Sequence, residues 1–93
     1  MLKPDLVAAI ADKTDLSKEH AGHVLATILE EITTALAEDE SVTLIGFGTF
    51  VQRHRGARMG KNPQTNQSIL IPASNTVAFK PGKRLKEVVA ELT

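Results

Sequence analysis

Residues 52–68, QRHRGARMGKNPQTNQS, form a long polar stretch in the middle of a short chain. Met59 is the one sizeable apolar side chain in this stretch. A segment with so little to bury cannot contribute much to a core, and a structureless loop of this length is uncommon in a compact domain. The stretch is therefore expected to project from the body of the protein in a regular form.

The rest of the chain offers little material for a core. The protein has 93 residues, with three Phe, no Trp or Tyr, and no Cys. We expect a single domain over residues 1–93, because a chain of this size buries only ~60–65% of its unfolded surface. The absence of Cys excludes disulfides and cysteine-based metal sites. Association with a second copy is the remaining way to bury more apolar surface.

Helical periodicity marks residues 1–40. The apolar positions of a first helix are Leu6, Val7, Ile10 and Ala11, and those of a second are Ala21, Leu25, Ile28, Ile32 and Ala35. Pro4 is tolerated in the first turn of the first helix, and Ser17 offers an N-cap to the second. The second stripe is widened by Val24, Leu29 and Leu36, so it can face a second subunit as well as its own domain. Residues 1–40 are predicted to be a helical dimerisation region.

Short runs rich in β-branched and aromatic residues follow the helices. VTLI at 42–45 predicts a strand, and TFVQRHR at 49–55 alternates, placing Phe50, Gln52 and His54 on one face. The pattern resumes in ILIP and TVAFK. Residues 41–81 are thus predicted to form a short antiparallel sheet extended into a two-stranded ribbon, an arm over about 53–75 with its tip near 61–67.

Residues 82–93 predict a final amphipathic helix after the Pro81–Gly82 pair. Its apolar residues are Leu85, Val88, Val89 and Leu92. With the elements above, the chain is assigned to the α+β class.

Charge is segregated along the chain, although the formal net charge is zero. Residues 1–40 carry three basic and nine acidic side chains, whereas residues 41–86 carry eight basic side chains and no acid. Glu87 and Glu91 close the balance. Such asymmetry between segments indicates a polyanionic partner on one side of the protein.

An enzyme is the class that these residues support least. Residues 41–86 offer neither a carboxylate nor a thiol for acid–base or nucleophilic work. His20 and His23 lack further ligands at metal-binding spacing, so they are interpreted as solvent-facing. GFGTFV lacks the third glycine of a dinucleotide fingerprint. No cofactor, metal or small-molecule substrate is predicted, and the lack of a membrane span or export signal favours the cytoplasm.

Two basic clusters carry the functional argument. The arm cluster is Arg53, Arg55, Arg58 and Lys61, followed by the amides of Asn62, Gln64, Asn66 and Gln67. Arg, Asn and Gln are side chains that read the minor groove of DNA, and a two-stranded ribbon fits a groove. A second cluster, Lys80, Lys83, Arg84 and Lys86, lies near the start of the last helix. Lys83 and Lys86 are expected to share a helix face, away from Leu85 and Val89, and to bind phosphate.

Several motifs resemble the HU/IHF family of bacterial nucleoid DNA-binding proteins. They are DLSKEHAG (15–22), VTLIGFGTF (42–50), GKNPQT (60–65), IPA (71–73) and AFKPGKRLK (78–86). The resemblance covers essentially the whole chain and is stronger to HU than to integration host factor. It implies an intertwined homodimer of helices and sheets, whose two β-ribbon arms wrap duplex DNA through the minor groove, bending and compacting it with low sequence specificity.

The resemblance also implies roles for individual residues. Pro63 would be an intercalating wedge at the arm tip. The arm contacts would be Arg53, Arg55, Arg58, Lys61, Asn62, Gln64, Thr65 and Asn66. The saddle and flank contacts would be Lys80, Lys83, Lys86, Lys3 and Lys18. Phe47, Phe50 and Phe79 match core and dimer-interface aromatics. Glu19 and His23 depart from positions that are often basic in relatives, and Asn66 replaces a common glycine but tolerates the left-handed conformation.

Two alternatives stay open beside this interpretation. One is a sequence-specific bending subunit like integration host factor, paired as a homodimer or with a paralogue. The other is an interaction protein whose basic arm holds an acidic protein or RNA.

Overall fold

The computed structural model describes residues 1–91, so Leu92 lies outside the described residues. Within them are three helices and five strands, which confirms the α+β class. The chain divides into two compact units, Met1–Ala35 and the residues from Leu36 onward.

The first unit is a pair of helices. In the first turn of helix α1 (Lys3–Thr14), Asp5 Oδ2 accepts a hydrogen bond of 2.7 Å from the Leu2 N–H. The helix ends at Thr14 and is followed by its C-cap, Asp15, which adopts a left-handed φ of 59°. Helix α2 (Lys18–Ala37) begins after Ser17, whose Oγ accepts from the His20 N–H at 3.0 Å. These capping bonds satisfy backbone donors that the helices cannot pair internally.

Small side chains let the two helices of the first unit approach closely. Ala11, Ala21 and Leu25 are its buried apolar residues, and a Cβ at Gly22 would lie 3.7 Å from Val7 Cγ1. Much of the apolar stripe predicted for α2 remains exposed, however, including Val24, Ile28 and Leu29. The single chain therefore leaves apolar surface of α2 uncovered.

The second unit contains all the strands. They are β1 (Val42–Leu44), β2 (Gly48–Arg55), β3 (Arg58–Lys61), β4 (Ser68–Ile71) and β5 (Ser74–Pro81). Strands β1, β2 and β5 form an antiparallel sheet in that order, and β3 and β4 form a separate two-stranded ribbon. Helix α3 (Lys83–Ala90) follows β5 directly.

The predicted sheet and two-stranded ribbon are both present, but the pairing is interrupted between them. Gly56 and Ala57 on one side and Pro72 and Ala73 on the other are outside both sheets. Proline has no N–H to donate to a ladder, which explains why pairing is interrupted at this level. The register is nevertheless the same beyond the interruption, because Arg55 pairs with Ser74 and Arg58 with Ile71.

Aromatic packing closes the opposite end of the β2–β5 pair. Phe50 and Phe79 are register partners with ring centroids 4.8 Å apart, and Phe47 lies 5.3 Å from Phe79. A Cβ at Gly48 would come within 2.6 Å of the Phe79 ring and 2.7 Å of the Lys80 carbonyl oxygen. Glycine at position 48 thus allows the aromatic ring to lie against the strand.

Two further hydrogen bonds tie this sheet to neighbouring segments. The Gln52 Nε2 donates to the Leu36 carbonyl at 2.9 Å, which ties β2 to the last turn of α2. The Gly82 N–H donates to the Phe47 carbonyl at 2.8 Å, just before α3 begins. The sheet is therefore anchored at its base, while the ribbon at its far end has no comparable bond to a neighbouring helix among residues 36–91.

Candidate nucleic-acid interface

The arm cations lie on β3 and on the end of β2 that is farther from the packed aromatic side chains. Arg53 and Arg55 lie within the last three positions of β2, opposite Thr76 and Ser74. Arg58 and Lys61 are the first and last residues of β3. All four side chains are exposed. None has an ion-pair partner in the part of the chain that the structure describes. Their charges are therefore unneutralised and accessible to an anionic ligand.

The arm tip is a closed turn built by polar side chains. Across its base, the Asn62 N–H donates to the Gln67 carbonyl at 2.8 Å, and the Asn66 N–H donates to the Asn62 carbonyl at 2.7 Å. The Asn62 Oδ1 accepts from the Gln64 N–H at 2.9 Å, as in an Asx turn. Asn66 has φ 58°, which asparagine tolerates. The prediction that asparagine at position 66 can support the tip turn is confirmed.

These bonds separate the predicted tip residues into two groups. Asn62 and Asn66 build the turn, and the Thr65 Oγ1 accepts a long bond of 3.4 Å from the Gln67 N–H. Pro63 and Gln64 instead stand exposed at the end of the ribbon. The turn thus presents a rigid apolar ring at the tip.

A histidine–asparagine pair crosses the arm near its base, and sequence reasoning missed it. His54 Nδ1 lies 2.7 Å from Asn75 Oδ1, and the two residues are register partners on β2 and β5. The alternation of β2 indicated the face of His54, but its partner depends on a strand register that the sequence did not specify. The pair cross-links the two strands beside Arg53 and Arg55.

The cations of the second basic cluster differ in their surroundings, which the sequence did not indicate. Lys80, Lys83 and Arg84 are exposed near the start of α3, and Lys83 Nζ lies 3.8 Å from Glu87 Oε1 in a solvent-exposed ion pair. Such pairs are weak, so Lys83 remains accessible to phosphate. Lys86 borders the same shallow apolar cleft as Leu85 and Val89. Lys86 lies nearer to Val89 than the sequence analysis expected, because residues three apart share a helix face.

The remaining predicted residues lie in both units. Lys3 and Lys18 are exposed at the first positions of α1 and α2. In the second unit, Phe47 and Phe79 are 46% and 38% exposed, and Phe50 is half-buried. The aromatic cluster therefore keeps open surface in the single chain, as expected of residues that complete their packing against another subunit.

The described residues do not assemble a metal centre. His20 and His23 are exposed and line a shallow cleft with Ser17 and Glu19. No cluster of three or more potential ligands occurs within residues 1–91. Over the same residues, no helix is both long and apolar enough to cross a bilayer.

Comparison with known proteins finds a family and relatives that are named as DNA-binding proteins. The family described as bacterial DNA-binding protein matches residues 1–90. DNA-binding protein HU-alpha of Pseudomonas aeruginosa is 66% identical over 89 residues, which cover 96% of this chain and 99% of the relative. DNA-binding protein HU of Staphylococcus aureus is 51% identical, with the same coverage of 96% and 99%.

Solved structures show the same fold. The Anabaena HU–DNA cocrystal structure superimposes with a TM-score of 0.86 at 46% identity, covering 97% of this chain and 98% of the other. HU from Thermotoga maritima gives a TM-score of 0.68 at 35% identity, with coverage of 96% and 98%. The match to the family over nearly the whole chain, together with these relatives, shows that the chain belongs to the bacterial DNA-binding protein family, the HU/IHF family, and is similar to its HU members.

Proposed function

We propose that the protein is an architectural factor that binds duplex DNA through the minor groove with low sequence specificity, bends it and compacts it. The observation that carries this proposal is the exposed ribbon, which bears unneutralised cations along its length and an exposed proline at its tip. Relatives named DNA-binding protein HU, and a neighbour solved with DNA, support the choice of ligand.

The affinity comes mainly from the cations of the arm. Arg53, Arg55, Arg58 and Lys61 replace counterions condensed on the phosphates, and release of those counterions drives binding regardless of base sequence. Arginine predominates among them, and its planar guanidinium can contact phosphate oxygens in a bidentate manner. Lys80 and Lys83 add phosphate contacts near the base of the ribbon, Lys86 reaches out from the edge of its apolar cleft, and Lys3 and Lys18 supply flank contacts.

The bend comes from the tip of the arm. Pro63 is held outward by the Asn62–Gln67 and Asn66–Asn62 hydrogen bonds, so its ring can enter between base pairs without first ordering the loop. Unstacking a base step costs a few kcal/mol, and the bent duplex offsets this by contacting more of the protein. Gln64, Thr65 and the amide groups of Asn62 and Asn66 border the wedge.

The binding unit is a homodimer with two arms. Ile45 is 99% exposed, and the neighbouring Leu44, Phe47 and Phe79 keep between 38% and 46% of their surfaces open in a single chain. A patch of this kind on a small body without disulfides is stabilised by a second copy. Phe47, Phe50 and Phe79 then serve as dimer core rather than as DNA contacts. Pairing with a paralogue remains an alternative arrangement of the same surface.

The low-specificity function is favoured over a sequence-specific one. The relatives reported above are named HU, and none of the contacts that we assign to the arm is a base-specific bidentate pair in the major groove. Those relatives are named as DNA-binding proteins and not as enzymes, and we propose no enzymatic activity. We place the protein with the chromosome in the cytoplasm.

Binding to random duplex DNA should fall steeply with salt, because each phosphate contact contributes about −0.9 to the slope of log K against log salt. Arg55→Gln should lower the magnitude of that slope by about 1 for each arm that contacts DNA. Lys13→Gln, at an exposed position of α1 outside the proposed interface, is the matched control. Undetectable binding of the parent protein at moderate salt, together with tight binding to an acidic protein or RNA, would refute the proposed function.

Pro63→Ala should reduce DNA bending while leaving most of the salt-dependent affinity intact, because the phosphate contacts stay in place. Energy transfer between dyes at the ends of a short duplex measures the bend. Lys13→Gln, the exposed α1 variant outside the proposed interface, serves as the control. Equal bending by the Pro63 variant and the parent would eliminate the wedge.

Sedimentation equilibrium at micromolar concentration should give twice the chain mass, with no folded monomer, because the aromatic cluster and the α2 stripe remain open in one chain. Far-UV circular dichroism on the same samples reports whether the chain is folded. A monomeric mass with a native spectrum would contradict the dimer.

A further inference from the structure

The histidine–asparagine pair at the base of the arm has a ring nitrogen that can still accept a proton. His54 Nδ1 lies 2.7 Å from Asn75 Oδ1. An amide oxygen only accepts hydrogen bonds, so the hydrogen of the neutral ring is on Nδ1 and the Nε2 atom carries the lone pair. Both side chains are exposed, so Nε2 can be protonated from solvent while the bond to Asn75 stays in place.

The sheet around His54 supplies no other ionisable side chain on the same face. Strand alternation places His54 with Phe50 and Gln52 of β2, and the register places Asn75 and Val77 of β5 beside them. Strand β1 pairs with the other half of β2 and contains no ionisable residue. A proton on Nε2 is therefore not held by a group within the sheet.

The end of α2 lies against this face, because the Gln52 amide donates to the Leu36 carbonyl. The acidic side chains that follow α2 are exposed, and they are Glu38, Asp39 and Glu40. Within residues 1–91, no carboxylate oxygen comes within 4.0 Å of a His54 ring nitrogen. These acids therefore form no ion pair with the imidazole, and its charge responds to the groups of the arm.

The charged residues next to His54 in the chain are both positive. Arg53 and Arg55 flank it on the opposite face of β2, and residues 41–86 contain no acid. Consecutive residues of a strand rise about 3.3 Å, whereas the Debye length is about 10 Å at 0.1 M salt. Phosphates contacted by these arginines would therefore lie close enough to act on the charge of the imidazole.

From this setting we infer that His54 takes up a proton when the arm binds DNA, so that affinity for duplex DNA rises as the pH falls; the inference rests on the proposed function. The negative potential of bound phosphates favours the imidazolium over the neutral ring. Protonation and DNA binding then strengthen each other equally, because the two equilibria are linked. Histidine ordinarily changes its charge between about pH 5 and pH 8, so the effect falls in that range.

This coupling requires no contact between His54 and the DNA. The side chain lies on the face of β2 opposite to Arg53 and Arg55, and its charge acts through space. Asn75 is a positioning residue. Its Oδ1 accepts from Nδ1 and so keeps Nε2 as the nitrogen that gains the proton, and the bond becomes charge-assisted once the ring is positive.

The other two histidines have different surroundings. His20 and His23 are exposed on α2 and line a cleft with Glu19. Residues 1–40 contain no arginine and three times as many acidic as basic side chains. His23→Gln is therefore the matched control for His54→Gln, because each variant removes one exposed imidazole.

The test measures duplex affinity at about pH 5.5 and about pH 7.5, on either side of the ordinary histidine titration. The parent should bind about threefold more tightly at the lower pH for each arm that contacts DNA, which is the effect of one weakly screened charge. His54→Gln should lose this difference, and His23→Gln should keep it. The heat of binding in two buffers of different ionisation enthalpy counts the protons taken up, and His54→Gln should lower that count.

A second variant tests the mechanism without removing the imidazole. Asn75→Asp puts a carboxylate beside Nδ1, so His54 should already be protonated at neutral pH before DNA binds, and proton uptake on binding should disappear. The NMR resonances of the His54 ring report its protonation directly. In the parent they should titrate at higher pH in the DNA complex than in the free protein. Thermal unfolding checks that each variant is folded.

Three results would overturn the inference while leaving the proposed function in place. One is equal pH dependence of binding in the parent and in His54→Gln. Another is loss of that dependence in His23→Gln alone, which would assign the proton to the helical unit. The third is a His54 ring that titrates identically with and without DNA. Failure of the parent to bind duplex DNA at either pH would instead reject the proposed function.

Discussion

The antiparallel ladder between β2 and β5 is the interaction on which the rest of the structure depends. It runs without a break from Gly48, opposite Pro81, to Arg55, opposite Ser74. At one end it brings Phe50 and Phe79 together and holds Gly82 against the Phe47 carbonyl. At the other end it exposes Arg53 and Arg55. One register therefore fixes both an apolar end and a cationic end, and an error of one residue would exchange the faces of every side chain.

The separation of acidic and basic side chains along the sequence explains how a chain with no net charge can bind a polyanion. The acidic side chains are concentrated in residues 1–40, whereas the ribbon carries only positive charge. Local potential, rather than net charge, sets the attraction for phosphates within a Debye length of about 10 Å at 0.1 M salt. The proposed wedge at Pro63 would then convert electrostatic attraction into a shaped contact with the groove.

Sequence patterns predicted the elements of the fold well where the signal was local. Helical periodicity and the Ser17 cap located α2, and alternation in TFVQRHR located β2. The features that the sequence did not predict depend on pairing between distant residues. Neither the interruption at Pro72 nor the His54–Asn75 contact follows from its own segment, because each requires the register of β2 with β5. The placement of Lys86 beside the apolar cleft was recoverable, since its spacing from Val89 already indicated a shared face.

The central claim is that the ribbon supplies most of the affinity for duplex DNA and produces its bend, while the body adds weaker phosphate contacts. It is tested most directly by replacing residues 56–73 with Asn-Gly, which closes β2 and β5 as a two-residue hairpin after the Arg55–Ser74 pair. We predict that this protein unfolds at nearly the parental temperature, binds random duplex at moderate salt on the order of a hundredfold more weakly, and does not bend it. A folded hairpin variant that bound and bent duplex DNA as the parent does would contradict the account.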